Sequence, residues 1–403
     1  MVDRKGPFKK MPLNEQSLID QISRNAKAFG QLRQRHYELL PQAIEEYRNA
    51  TRAGWLSLEE LAHAKQAAAL PVEELHNHRQ LARLALPEGN SYVVVATDGS
   101  IIPPDRHGGM AFCQVLNIGE VALGYGQRSL AHIEANTTLY LNGVAATSSS
   151  LTTASPATGT GPSDSSVDYL DPDHDDDQAG GANSSLTLET EMAVAELEVA
   201  LRLTGDYWAT VAMRDGPLTL WTSSILNNRE SRALTARYVK LLARFGERGV
   251  PIVGYTSNTR SDVVMTALGV MARRSYAGLT DAQLFGAILA VGECSPAFRH
   301  IARHSKDSAL TEEIRFMYLR TEDELVRLEF SQEFLGTPQL DTALAIIWHQ
   351  LKVGQGYPVV LMEAHESAVL RQGDRELLRA VLESYGWVGQ ESQKGLSKRL
   401  RNL

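Results

Sequence analysis

The sequence predicts an α/β fold, a mixed β-sheet flanked by helices and preceded by a helical N-terminal extension. Three observations predict it. Apolar residues recur at spacings of three and four through residues 14–82. Short β-branched runs then alternate with helical segments from Ser91 onward. Two of those segments, SYVVVATDGS and YWATVAMRDGPLTLW, carry Asp-Gly closely after their apolar residues.

In chain order, LIDQISRNAKAFGQLRQRHYELLPQAIEEY and LSLEELAHAKQAAAL read as helices, the second opened by Ser57 as N-cap. Such helices pack on a core or on a second subunit, and these carry no chemistry. SYVVVATDGS reads as a buried strand closed by a tight turn. MAFCQVLNIG and EVALGYG read as an antiparallel pair joined by a Gly-containing turn. Residues 145–186 are rich in Ser, Thr, Gly, Ala, Pro and Asp, too poor in large apolar residues to offset their ordering entropy, so a disordered acidic loop is expected.

LTLETEMAVAELEVALRL then reads as a helix whose buried stripe is Val194, Leu197 and Leu201. It leads into the second Asp-Gly strand. Residues 228–247 read as a helix, GVPIVGYTS as a strand and RSDVVMTALGVMARR as a helix. FMYLRTEDELVRLEF reads as two strands around a turn at Thr321 to Glu324, followed by a helix near 340–353. In YPVVLMEAH, Tyr357 is expected to open a strand and His365 to lie near the start of the next helix. No internal repeat is present, and no Gly-rich loop followed by Lys and Ser or Thr, so ATP hydrolysis is not expected.

Composition sets outer limits. Hydrophobic residues make up 43% and charged residues 22%, the balance of an ordinary globular chain. Every apolar run is far below the roughly 20 residues that cross a bilayer, so no membrane partner is expected. The N-terminus is basic with no apolar stretch behind it, unlike a signal peptide. Cys113 and Cys294 are too few for a disulfide scaffold or a zinc ribbon and point to a reducing, cytoplasmic setting. The net charge of -8 is concentrated: residues 145–186 hold seven aspartates and no Lys or Arg, whereas both termini are basic. Charge therefore neither requires nor forbids a nucleic-acid partner.

Asp98 and Asp215 are the informative pair, each following an apolar strand and preceding Gly. Carboxylates at neighbouring strand ends can hold a hard divalent cation, Mg²⁺ or Mn²⁺. Two such cations about 4 Å apart activate a water and stabilise the leaving oxygen of a phosphodiester. The competing reading is an ordinary turn, with Asp bonding its own backbone. A third carboxylate is sought on the intervening helix, among Glu189, Glu191, Glu196 and Glu198. His365 could position a water or protonate a leaving group, or fill a polar corner of the core; Glu363 competes for a metal. Arg128, Arg260 and Arg299 are candidates for phosphate contacts or for plain surface solvation.

At these residues the chain resembles a known family. TDGS after an apolar strand, AEL on a helix before RDGPL, and YPVVLMEAH near the C-terminus are similar to the NurA nuclease domain. PDRH at 104–107, GYTSNTRS at 254–261, VGECSPAF at 291–298 and FMYLR at 316–320 add weaker similarity. The resemblance implies an RNase H-like core with a metal-bound active site, usually supported by Mn²⁺ with Mg²⁺ as an alternative. It implies a 5′-to-3′ exonuclease, often with single-strand endonuclease activity. It also implies a homodimer that works on DNA with a HerA-type hexameric DNA-translocating ATPase in end resection and repair.

Carried over by motif, Asp98 and Asp215 match the two aspartates, Glu196 the helix glutamate with Glu198 as alternative, His365 the C-terminal histidine and Tyr357 an active-site tyrosine. Asp98, Glu196, Asp215 and His365 would ligate metal. The implied organisation is a helical region 1–88, a nuclease domain 89–388 interrupted by the acidic insertion 145–186, and a basic tail 389–403. Two further readings stand beside this one: a catalytically silent scaffold docking on a DNA-translocating ATPase, and another RNase H-like nuclease acting on RNA or branched DNA.

Overall fold

The computed structural model describes residues 14–56, 69–105, 110, 112–141, 144–145, 177–220, 229–300 and 313–387. The architecture is a large mixed sheet with helices on both faces. Its centre is a meander of β3 (Tyr92–Ile102), β4 (Cys113–Tyr125) and β5 (Leu130–Leu141), with β7 (Val211–Asp215) and β8 (Ile252–Thr256) added parallel on the other side of β3. The resulting order, β5-β4-β3-β7-β8, is the RNase H-like arrangement. Beyond β8 the sheet continues antiparallel through β12 (Leu325–Ser331), β11 (Ile314–Arg320), β10 (Phe298–His300) and β1 (Ala69–Pro71). The short strands β2 (Arg79–Gln80), β6 (Val144–Ala145) and β9 (Glu293–Cys294) attach at its margins.

Alternation along β3 divides the core between the two faces. Val93 and Val95 meet α3 (Asp177–Asp206) and α4 (Arg229–Glu247), through Val194, Leu197, Leu201, Tyr238, Leu242 and Phe245. Val94 and Ala96 meet α7 (Pro338–Val353) and α8 (Val359–Ala368), through Leu344, Ile347, Val360, Leu361 and Ala364. Each fully buried Leu or Ile of this kind contributes roughly 1.5–3 kcal/mol. A further apolar cluster joins the C-terminal half of α1 (Glu15–Asn49) and α2 (Arg52–Leu56) to α5 (Val263–Met271), α6 (Asp281–Ile288) and the outer strands. α9 (Gln372–Ser384) closes the far end of β4 and β5 through Leu378 and Leu382.

Several sequence expectations are corrected. The helix expected through residue 82 gives way to β1 and β2, because Ala69, Leu70 and Pro71 complete the outer edge of the sheet against Phe298 to His300. The N-cap expected at Ser57 lies outside the described residues. MAFCQVLNIG and EVALGYG are not two strands: β4 runs unbroken through Gly119, a glycine required by a helix packed on it rather than by a turn. β5, mostly exposed and without apolar alternation, had no sequence expectation. Of the stretch 145–186 expected to be disordered, 146–176 lies outside the described residues, while α3 begins at Asp177 and so takes in 177–186.

The C-terminal motif is also corrected. YPVVLMEAH is a helix, not a strand followed by one: Tyr357 precedes it, Pro358 caps it, and His365 falls in its last turn. Its apolar run is short enough to fit either period. Burial of Val360, Leu361, Ala364 and Ala368 on one side selects the helix.

Candidate active site

Asp98 lies within β3 rather than at its end, at the point where β3 outruns its parallel neighbour. Pairing between β3 and β7 closes at Thr97 and Arg214, so the next residues, Asp98 and Asp215, emerge side by side. The turn expected at Asp98-Gly99 is absent, since β3 continues to Ile102. At Asp215-Gly216 a turn is present, with Gly216 at φ +95° and its N–H donating to the Tyr255 carbonyl at 2.8 Å.

His365 reaches this point from the opposite layer. Its Nδ1 lies 2.8 Å from Asp98 Oδ2, while Asp98 Oδ1 accepts from Gly99 N at 2.8 Å. The helix that carries it is pinned at both ends. Gln350 Oε1 accepts from Val360 N at 3.1 Å, and Asn117 Nδ2 donates to the Ala368 carbonyl at 2.9 Å. Tyr357 donates its hydroxyl to Asp215 Oδ2 at 3.0 Å and packs edge-on against Tyr255 at 5.3 Å between ring centres.

One ligand atom from each of Asp98, Asp215 and His365 lies within 4.8 Å of the other two, close enough for the three to hold one divalent cation. Oxygen donors plus one imidazole suit Mn²⁺ and Mg²⁺, with nitrogen favouring the former. Burial is the largest influence on Asp215, pushing its carboxyl up; Asp98 adds to that and the Tyr357 hydroxyl opposes it. The Tyr357 hydroxyl is itself pushed well up, by burial and then by Asp215. It therefore remains a proton donor across the neutral range.

Glu196 adjoins this group without being one of the three. It is buried on the face that α3 covers, with Oε2 held by Arg214 Nε at 2.5 Å and its backbone carbonyl accepting from Thr97 Oγ1 at 3.2 Å. Its Oε1 and the Met192 side chain close over Gly99, where an added Cβ would lie 2.6 Å from Oε1 and 2.5 Å from Met192 Cγ, so a side chain there would displace both. Burial raises the Glu196 carboxyl most, Arg214 lowers it, and Asp98 and Asp215 raise it again, for a net upward shift. Glu198 points elsewhere and pairs with Arg237 on the exposed side of α3.

Sequence reasoning had no means of finding Arg214, whose guanidinium also bonds the Pro217 carbonyl. The arginines singled out as phosphate contacts do not converge on the site. Arg128 follows the end of β4 that pairs with Tyr92 and donates to the Tyr207 carbonyl at 3.0 Å. Arg299 lies in β10 near the outer edge of the sheet, and Arg260 is exposed beyond β8. Cys294 is fully buried and its thiol is pushed well up by burial, so a side chain there faces the core.

An RNase H-like sheet with two adjacent aspartates at the β3–β7 junction and a histidine above them defines a class of α/β proteins with a candidate metal centre. The NurA domain model matches residues 92–370, and the chain belongs to that family. Its match takes in every residue of the site just described. The crystal structure of the NurA nuclease from Sulfolobus solfataricus is similar at a TM-score of 0.42 and 13% identity, over 76% of this chain and 90% of that one. No curated protein matches the sequence.

Proposed function

We propose that the chain is a metal-dependent DNA nuclease. The observation that carries this is the convergence of Asp98, Asp215 and His365 from β3, β7 and α8, three elements with separate reasons to be where they are. Membership of the NurA family supports the same reading.

In this proposal Asp98, Asp215 and His365 hold a divalent cation, with Glu196 offering Oε1 beside them. When bound, Mn²⁺ or Mg²⁺ stabilises charge on the phosphodiester oxygens. Tyr357 fixes the orientation of Asp215 through its hydroxyl, as partners behind a ligand do. His365 turns Nδ1 toward Asp98 and is 55% exposed at its side chain, so with Nδ1 facing the cation its Nε2–H is available to hold the scissile phosphate.

The finer reading follows the family resemblance: 5′-to-3′ exonuclease action with single-strand endonuclease capacity, Mn²⁺ as preferred ion, and a homodimer. A HerA-type hexameric ATPase would be the partner in DNA end resection, in the cytoplasm. Among the described residues no helix is long and apolar enough to cross a membrane.

The test is cleavage of 5′-labelled single- and double-stranded DNA with Mn²⁺, Mg²⁺ or EDTA, comparing wild type with Asp98→Ala. Metal-dependent degradation lost in the variant is expected. No cleavage in any metal, alone or with a cognate translocating ATPase, overturns the proposal in favour of a scaffold.

A further inference from the structure

Beside the candidate metal site, Glu196 and Arg214 form an ion pair that is almost sealed from solvent, at 2% and 9% exposure. The guanidinium is fixed from two sides, by Glu196 Oε2 through Nε and by the Pro217 carbonyl through Nη1. Pro217 is in turn held by its neighbours: Tyr238 donates to the Leu218 carbonyl at 2.8 Å, and Thr219 N donates to the buried Glu329 at 2.8 Å. Arg214 therefore has no freedom to swing away, and Glu196 keeps only Oε1 for anything else.

Two consequences follow for the ion content of the site. With Asp98, Asp215 and Glu196 ionised, three carboxylates and one guanidinium leave a net charge of −2, which a single divalent cation neutralises. A second cation would place unbalanced positive charge against a buried guanidinium, and uncompensated charge in such surroundings is costly. Ligand supply agrees. Asp98, Asp215 and His365 serve one centre, and among the described residues no other group of three His, Cys, Asp or Glu side chains lies as close together.

We propose that Arg214 is a positioning residue that occupies one oxygen of Glu196 and neutralises its charge, and so limits the site to one divalent cation. This rests on the metal-dependent reading above.

The experiment is a Mn²⁺ titration of the full chain, followed by calorimetry and by loss of the free-ion signal in electron paramagnetic resonance, with folding checked by circular dichroism. Wild type is expected to bind one Mn²⁺ per chain. Arg214→Gln frees both oxygens of Glu196 and is expected to bind two. The double variant Glu196→Gln/Arg214→Gln returns to one, because the second ion depends on the freed carboxylate. Arg214→Lys keeps the positive charge and stays at one. Two ions in wild type, or in Arg214→Lys, overturn the inference while leaving a metal-dependent enzyme intact. A folded Arg214→Gln that still binds one also overturns it. Should that variant fail to fold, the counts for wild type and Arg214→Lys decide. A wild type that binds no Mn²⁺ overturns the metal reading and this inference with it.

Discussion

Gly119 of β4 lies so close to Ala364 of α8 that a Cβ on the glycine would stand 2.3 Å from the Ala364 carbonyl oxygen. The same Cβ would meet Ser367 Oγ at 2.4 Å and Ala368 N at 2.9 Å. Two of these three contacts are backbone, which cannot rotate away. The missing side chain thus sets the height of α8 above the sheet, and with it the reach of His365 to Asp98.

Gly119→Ala is accordingly expected to destabilise the fold by about 1–3 kcal/mol, as overpacking does, and to reduce cleavage by lifting His365. Urea denaturation and a cleavage assay measure the two effects. Gly373, in α9 with nothing within 4 Å of its would-be Cβ, is the control. Gly373→Ala should leave activity intact and stabilise by about 0.5–1 kcal/mol. Equal effects at the two glycines would contradict this account of α8.

Tyr357→Phe removes the hydroxyl bonded to Asp215 Oδ2 and leaves the ring against Tyr255. If Asp215 ligates the proposed cation, loss of such a partner costs about 10–100-fold in activity or metal affinity. Thermal stability should change little. Steady-state cleavage with Mn²⁺ at wild-type level would show that Asp215 needs no such support.

Glu329 is fully buried, accepts from Thr219 N and Oγ1, and pairs with Arg327. It ties β12 to the loop that follows Asp215. Glu329→Ala takes from the buried Arg327 the carboxylate it pairs with, and a loss of roughly 3–5 kcal/mol is expected. A denaturation midpoint close to wild type would refute this placement of the pair.

His300 gives a pH dependence with a definite sign. Burial, and then Arg327 beside it, holds its imidazole well below the ordinary value of 6.5, and Arg327 Nη2 approaches its Nε2 at 2.5 Å, which requires the neutral ring. The unfolded chain takes up a proton near pH 6.5 that the folded chain refuses. Stability from this residue is therefore complete above that pH and declines as pH falls toward the folded value, by up to about 1.4 kcal/mol per pH unit. His300→Gln keeps an acceptor for Arg327 without titrating. Its stability should fall less steeply between about pH 6.5 and 5 than that of wild type. Parallel curves would mean the imidazole titrates normally.

Much of the site was legible in the sequence because its marks are local. Asp98 and Asp215 stand out by closely following apolar segments and preceding Gly. Such apolar segments fit the doubly buried central strands of a sheet. Their adjacency required the parallel register that pairs Thr97 with Arg214. His365 was visible as a residue type near the end of the chain, but not as the last turn of a helix: PVVLM satisfies either period until Gly119 and the apolar face of the sheet are supplied. β5 was illegible because its residues, none of them buried, carry no sustained apolar alternation; it is a strand because β4 offers it a partner along its whole length.

The sequence by itself determined the α/β class, the two aspartates, and the order of β3, β7, β8, β11 and β12 and of the longer helices between them, since these depend on side-chain period and on short-range backbone preference. Only the tertiary structure decided which carboxylates come together. Glu196 and Glu198 sit two residues apart on one helix, yet one is buried against Arg214 while the other pairs with Arg237 in solvent. A helix turns its successive side chains to different surroundings, and those surroundings are set by strands far away in the chain.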